Sequence, residues 1–261
     1  MEKRTLGTPR VHLRCTDSTN ERARELAIGD VPHGTLVTTE EQTAGRGRQG
    51  RAWCAPPRSA LLCSLVLRDP PALLSLIAGV AVCDAVGPDA RVKWPNDVVL
   101  ESPTSPKIRT PEPARPTAPT LAERRLAKVA GILVEGRPQE GWAVLGIGVN
   151  VAVRVEELPE EVSPGAASLE RPASAIEPLL AHLLVALTQR CGESSESVLA
   201  AWRARDALFG REISWNVHGA EGGMEHGRSE GIDSDGRLLV RQADGGTTAL
   251  RAGEVHLASA G

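Results

Sequence analysis

Residues 45–53 read GRGRQGRAW, and the nature of the chain turns on what that run does. Arg46, Arg48 and Arg51 alternate with Gly45, Gly47 and Gly50. Three readings are open: an RG tract from a nucleic-acid-binding tail, a disordered linker, or a loop built to hold one anion. An RG tract predicts many repeats in a low-complexity tail. Here a single copy stands between GTLVTTEEQ and SALLCSLVL, two β-branched or apolar runs bounded by turn residues, as strands are. The anion loop fits that setting. Glycines let the backbone approach a ligand and gather N–H groups into an anion nest. Arginine adds the planar fork that matches phosphate oxygens.

Composition agrees that any anion recognition is local. The chain has 261 residues and a formal net charge of -3, without the basic excess of a general polyanion binder. Hydrophobic content of 41% and charged content of 24% suit a globular protein with a full-sized core. Cys15, Cys54, Cys63, Cys83 and Cys191 form no C-x-x-C pair, which fits reduced thiols in the cytoplasm rather than disulfides or zinc. The opening MEKRTLGTPRVHLRC has no apolar core of a signal peptide. The longest apolar run, Ala72 to Cys83, is too short to span a bilayer.

Along the chain, DSTNERARELA reads as a helix start with a Ser18/Glu21 capping box. PALLSLIAGVAVCDAV (71–86) reads as a helix with proline at its entry. ARVKWPNDVVLE, KVAGILVEG and WAVLGIGVNVAV read as three more strands, with Lys128 opening the second. Helices are expected at about 175–191, with a second capping box at Ser174/Glu177, and at about 195–208. After Phe209 only short strands and Gly/Asp turns remain, with SDG placed as a hairpin turn, so a small barrel is expected beyond a boundary at 208/209. Residues 101–126 carry six prolines with almost no apolar periodicity and read as a flexible insertion whose flanking strands pair.

Five elements need one explanation: STN (18–20), EQTAGRGRQGRAW (41–53), KWPND (93–97), KVAGILVE (128–135) and GIGVN (146–150). In this combination and order the chain resembles the biotin–protein ligase family, from about Val11 to the C-terminus. The resemblance implies an α+β fold: a mixed β-sheet flanked by helices, of the class II synthetase-like kind, with a small C-terminal SH3-like β-barrel. It divides the chain into a catalytic domain, 1–208, and a C-terminal domain, 209–261. About ten residues precede the first strand in this sequence, so the helix-turn-helix of the family's repressors is not expected. No nucleic-acid or membrane partner is expected, and a homodimer is compatible with the resemblance.

The implied reaction joins biotin to ATP as biotinyl-5′-AMP, then passes the biotinyl group to a lysine of a biotin carboxyl carrier protein. The first step sets a carboxylate against a phosphate. Two unit charges about 4 Å apart repel by about 4 kcal/mol at an effective dielectric near 20. Mg²⁺ held mainly by the phosphates, with arginine and lysine, is the implied remedy. By resemblance, Lys128 bridges the biotin carboxylate and the adenylate phosphate, and Arg48 closes over the intermediate and excludes water. Ser18, Thr19 and Gln42 match the positions that bond the ureido ring, whose N–H and carbonyl groups suit hydroxyls and a carboxamide. Asn20, Gly45, Arg46 and Gly131 complete the implied biotin site. Arg51, Trp53, Asn96, Asp97 and Asn150 join Arg48 at the adenylate, with an Arg48–Asp97 pair expected. Trp94 reads as core, and Trp53 is left open between core and ligand wall. Two other readings are a lipoate or octanoate ligase, whose loop motif differs, and a biotin-adenylate-binding regulator without transfer activity.

Overall fold

The computed structural model describes residues 6–103, 124–137, 140–216, 223–251 and 255–257. Seven strands form one mixed sheet: β1 (Arg10–Leu13), β2 (Leu36–Thr39), β3 (Ala60–Arg68), β4 (Ala90–Lys93), β5 (Asp97–Pro103), β6 (Arg124–Arg137) and β7 (Trp142–Asn150). Their order is β1-β2-β3-β7-β6-β5-β4. β1 and β2 run parallel, joined by helix α1 (Thr19–Ile28), and every other pairing is antiparallel.

The central strands are nearly continuous apolar runs because both sheet faces are covered. On one face α2 (Leu74–Val86), α3 (Ile176–Cys191) and α4 (Ser195–Arg203) bury the main core, with Leu65, Val80, Leu145, Leu183 and Trp202 inside it. α2 is apolar on all sides because it packs against strands, α3 and α4 together. On the other face α1 closes a smaller cluster of Ala23, Ala27, Val37, Val66, Trp142 and Val144. A third cluster, Ala60, Leu62, Val153 and Leu158, covers another part of that face, and the site lies beside it.

A second sheet follows, β8 (Glu212–Asn216), β9 (Met224–Ile232), β10 (Leu238–Arg241), β11 (Thr247–Leu250) and β12 (Val255–Leu257). It is antiparallel in the order β11-β10-β9-β8-β12. Among the described residues no β11–β12 ladder closes it into a barrel. The expected SDG turn joins β9 to β10, with Asp233 Oδ1 accepting from the N–H groups of Asp235 and Arg237. Ile213, Trp215, Leu238, Val240 and Val255 merge with the main core, so one apolar interior underlies both sheets. Trp94 is core, as expected, and its indole N–H donates to the Gly236 carbonyl at 3.1 Å across the junction.

Several expectations need correcting. ARVKWPNDVVLE is two strands, β4 and β5, reversed at Trp94–Asn96 and paired with Lys93 opposite Asp97. The helix expected to reach residue 208 ends at Arg203. Neither capping box forms. Ser18 holds the N-cap position with extended backbone but makes no side-chain cap bond; the reciprocal bond is absent too, because Glu21 is taken by Arg24 (2.6 Å) and Arg46 (2.7 Å) and the Ser18 N–H donates to Asp17 Oδ1 at 2.7 Å. At α3 the N-cap is Ala175, and Glu177 instead receives both arms of Arg10 at 2.7 and 2.8 Å. Charged partners outcompete a neutral cap. The 101–126 segment is ordered at its ends: Glu101 to Pro103 pair with Leu126 to Arg124, continuing the β5–β6 hairpin. Residues 104–123, the remainder of the expected insertion, lie outside the described residues.

Asp206, just beyond α4, is half-buried; its Oδ1 accepts from the Leu208 N–H at 2.8 Å, while its Oδ2 is shut off from solvent with no hydrogen-bond partner among the described residues. Burial pushes its carboxyl up to about 6. The native state therefore holds a proton that the unfolded chain has released between the ordinary aspartate value of 3.8 and about 6. Stability from this group is full below that window and lost as pH rises through it, by about 3 kcal/mol. Asp206→Asn is expected to raise the urea midpoint at pH 8 and leave it nearly unchanged at pH 4. Equal shifts at both values would contradict this.

Candidate active site

The loop that opened the sequence folds as a short hairpin. Arg46 and Ala52 bridge antiparallel, the Gly47 N–H donates to Arg51 O at 2.7 Å, and the Trp53 N–H donates to Gly45 O at 2.9 Å. The tip turns through left-handed backbone at Gln49 (φ 55) and Gly50 (φ 77). Gly45 is needed for space, since a Cβ there would lie 2.8 Å from Gln42 Nε2. The N–H groups of Gly47 and Arg51 bond within the hairpin, so those two are not available to a nest. The loop offers charge chiefly through its side chains.

Arg46, Arg48, Arg51 and Trp53 all line a cleft on the α1 face of the sheet. Its other walls are Thr19, Asn20 and Gln42, the 93–97 turn, β6 from Lys128 to Leu133, β7 at 146–148, and Val255 from the second sheet. Eleven of the expected site residues therefore converge: Thr19, Asn20, Gln42, Arg46, Arg48, Arg51, Trp53, Asn96, Asp97, Lys128 and Gly131. Ser18 and Gly45 sit just behind the lining. Asn150 is buried behind it too, its amide donating to Ala167 O at 2.9 Å while its Oδ1 has no partner among the described residues.

Lys128 does not open its strand; β6 begins four residues earlier because the hairpin is longer than expected. A β-bulge aims it. Val98 pairs with Ala130 and Val99 with Lys128, so β6 has an extra residue at Val129. In a regular strand Lys128 and Gly131 would face opposite sides of the sheet. The bulge brings them to one side, and a Cβ on Gly131 would lie 3.1 Å from Lys128 Cε. The ammonium reaches Asp97 Oδ1 at 2.7 Å and sits 5.6 Å from the centre of the Trp53 ring.

That contact corrects the expected Arg48–Asp97 pair. Arg48 donates to Asn96 Oδ1 at 3.1 Å, while Asp97 is held by Lys128. Burial lowers the Arg48 pKa, and the Asp97 carboxylate opposes that shift through space. Lys93 also lines the cleft; burial lowers its pKa, Asp97 opposes this, and the charges of Lys128 and Arg51 add to the lowering. Three cations, Lys128, Arg48 and Lys93, thus act on the Asp97 carboxylate, with Arg51 beside Arg48 and Lys93, a preformed anion site. No role was drawn from the sequence for Lys93, although it opens KWPND.

The opposite end of the cleft is neutral and polar. Gln42 Oε1 accepts from the Thr19 N–H at 2.7 Å, and Thr19 and Asn20 both meet the fully buried Ser64. Ser64 was missed; its signal is that it is the lone hydroxyl in the apolar run of β3. Between the two ends lies a floor of glycine. Gly131 and Gly148 pair across β6 and β7, and the Trp53 indole covers both, with Cβ atoms there falling 2.9 and 2.6 Å from the ring. Trp53 therefore is a wall of the cleft that also packs on the cluster of Ala60, Leu62, Val153 and Leu158. The arrangement suits a ligand with a neutral hydrogen-bonding head, a thin apolar middle and an anionic tail.

Residues 12–151 match the biotin/lipoate A/B protein ligase family, and residues 216–257 match the biotin protein ligase C-terminal domain. The biotin--[acetyl-CoA-carboxylase] ligase of Paracoccus denitrificans is 33% identical over 249 residues, covering 87% of this chain and 91% of that one. Its counterpart in Mycobacterium tuberculosis is 32% identical over 264 residues, covering 93% and 86%. Among solved structures, the biotin protein ligase from Aquifex aeolicus in complex with biotin and ATP shares the fold, with a TM-score of 0.73 and 24% identity over 97% of this chain and 100% of that chain. The chain belongs to the biotin/lipoate A/B protein ligase family.

Proposed function

We propose that this protein is a biotin–protein ligase: it condenses biotin with ATP to biotinyl-5′-AMP and pyrophosphate, then transfers the biotinyl group to one lysine of a biotin carboxyl carrier domain. The observation that carries this reading is that one cleft holds the Lys128 cation cluster, the Thr19–Gln42 polar end and the glycine floor between them. Biotin has the matching parts in the matching order: a cyclic urea, an apolar chain and a carboxylate.

In the first step a biotin carboxylate oxygen bonds to the α-phosphorus of ATP as the bond to the pyrophosphate oxygen breaks. Lys128 sits where those two anions meet, and its charge offsets their repulsion of about 4 kcal/mol. Asp97 holds the ammonium in place beforehand at 2.7 Å. Arg48, Arg51 and Lys93 are assigned to the phosphates, Trp53 and Asn96 to the adenylate wall, and Asn150, whose Oδ1 has no partner among the described residues, to the adenine. Ser18, Thr19, Asn20, Gln42, Gly45, Arg46 and Gly131 are assigned to biotin. Among the described residues no cluster of three or more His, Cys, Asp or Glu is arranged to hold a metal, and Asp97 is already engaged. Mg²⁺ entering with ATP is accordingly assigned to the phosphate oxygens, where it supplies charge neutralisation.

We place the catalytic unit at 1–208 and the smaller unit at 209–261. A cytoplasmic setting is supported by five unpaired cysteines, and no helix among the described residues is long and apolar enough to cross a membrane. The reading is tested by mass spectrometry of a biotin carboxyl carrier domain incubated with the protein, ATP and biotin. One added biotinyl group on one lysine is expected; modification with lipoate but not biotin would establish a lipoate ligase instead. If Arg48 covers the intermediate, Arg48→Ala is expected to release biotinyl-5′-AMP and to biotinylate lysines of bystander proteins such as serum albumin. Strict acceptor selectivity in that variant would contradict the covering role.

A further inference from the structure

Behind the polar end of the cleft runs a chain of hydrogen bonds whose direction is determined from its far end. Glu135 Oε1 pairs with Arg46 at 3.2 Å, so its carboxylate only accepts, and Glu135 Oε2 lies 2.9 Å from Asn20 Nδ2. Asn20 must therefore turn its amide nitrogen to Glu135 and its Oδ1 to Ser64, 2.6 Å away. Gly146 leaves the room for this, because any Cβ there would collide with the Asn20 amide. An amide oxygen cannot donate, so the single proton of the Ser64 hydroxyl goes to Asn20. Ser64 Oγ also lies 2.8 Å from Thr19 Oγ1, and that contact now has to take its proton from Thr19. Among the described residues the other polar atom beside the Thr19 hydroxyl is Gln42 Oε1 at 3.0 Å, also an acceptor, so the one Thr19 proton has two acceptors and neither is a ligand.

Two hydroxyl protons thus serve three oxygen–oxygen contacts, and both protons point away from the cleft. We infer that Ser64 and Glu135 are positioning residues that hold the Thr19 hydroxyl as an acceptor toward ligand, so that this corner of the cleft demands an N–H donor. Gln42 Oε1 faces Thr19, which leaves its Nε2 as a donor. The pair then presents one acceptor beside one donor, the complement of the N–H and C=O of a cyclic urea, and rejects a ring oxygen in place of that N–H. This inference rests on the biotin reading and assigns its head-group selectivity to two residues that do not line the cleft.

With Ser64 removed, the one inward acceptor left for the Thr19 proton is Gln42 Oε1, which the Thr19 N–H already serves at 2.7 Å. The Thr19 hydroxyl is then able to turn outward and donate. The test is calorimetric binding of biotin and of its two cyclic-carbamate analogues, each with one ring N–H replaced by oxygen. The wild type is expected to prefer biotin over at least one carbamate by about 10²-fold or more, since a site built around a ligand N–H is left with an unpaired group by the analogue. Ser64→Ala is expected to lower that ratio about tenfold, with the KM for ATP unchanged. Glu135→Gln, whose carboxamide lets Asn20 turn either way, is expected to lower it as well. A purely structural role for Ser64 would weaken all three ligands equally. Absence of biotin binding to the wild type would overturn both this inference and the proposed function. Biotin binding with an unchanged urea-to-carbamate ratio in both variants would overturn the relay alone.

Discussion

Lys128→Ala is expected to slow adenylate formation by about 10²–10³-fold in kcat, the usual cost of deleting one electrostatic group aimed at developing charge. The structure sharpens the reason. The ammonium is 2.7 Å from Asp97, so its removal also leaves a carboxylate facing the place where phosphate and biotin carboxylate meet. Part of the loss should therefore be repulsion from Asp97, and Asp97→Asn added to Lys128→Ala is expected to recover some of the rate. A double-mutant cycle on single-turnover rates reads this directly. Strict additivity of the two losses would mean that the ion pair has no part in the step. Thermal stability should change little, because Lys128 is 38% exposed and its partner 23%.

The second large effect falls on stability. Arg211, at the entrance to β8, reaches Glu101 of β5 at 3.0 Å, and its side chain is only 5% exposed against 15% for Glu101. Arg211→Ala is expected to destabilise the protein by about 3–5 kcal/mol, the usual cost of breaking a largely buried ion pair by removing one member. Replacing both residues with apolar ones, Arg211→Met with Glu101→Leu, should restore most of that. β5 also carries Asp97, and its hairpin partner β6 carries Lys128, so the loosened variant is expected to lose activity before it unfolds globally. Urea unfolding checks the stability claim, and a loss below about 1 kcal/mol would place this pair among ordinary surface bridges.

These two residues show where sequence reading reached and where it stopped. Lys128 was legible as a residue of the site because KVAGILVE carries it in a fixed motif. How it comes to face Gly131 was not, since the bulge at Val129 is visible only in the pairing of β6 with β5. Strands such as ALLCSLVLR announced themselves through unbroken apolar runs, which two covered faces require. The helix starts fall where the sequence places them, but their capping was misjudged for a different reason. Ser18/Glu21 and Ser174/Glu177 have the spacing of capping boxes, but Arg46 and Arg10 arrive from far along the chain and take the glutamates. Arg211 with Glu101 is likewise a pairing over 110 positions that no local pattern encodes. Ser64 lay in view as the one hydroxyl in a buried strand, and its meaning came only when Thr19 and Asn20 were found against it.

The central claim is that this cleft brings the carboxylate of biotin to the α-phosphorus of ATP under the charge of Lys128. Exchange of labelled pyrophosphate into ATP tests it most directly, because it reports adenylate formation without any acceptor protein. Exchange that depends on biotin, is not supported by lipoate or octanoate, and falls by about 10²–10³-fold in Lys128→Ala is the predicted result. Exchange supported equally by lipoate, or undiminished in Lys128→Ala, would contradict the account.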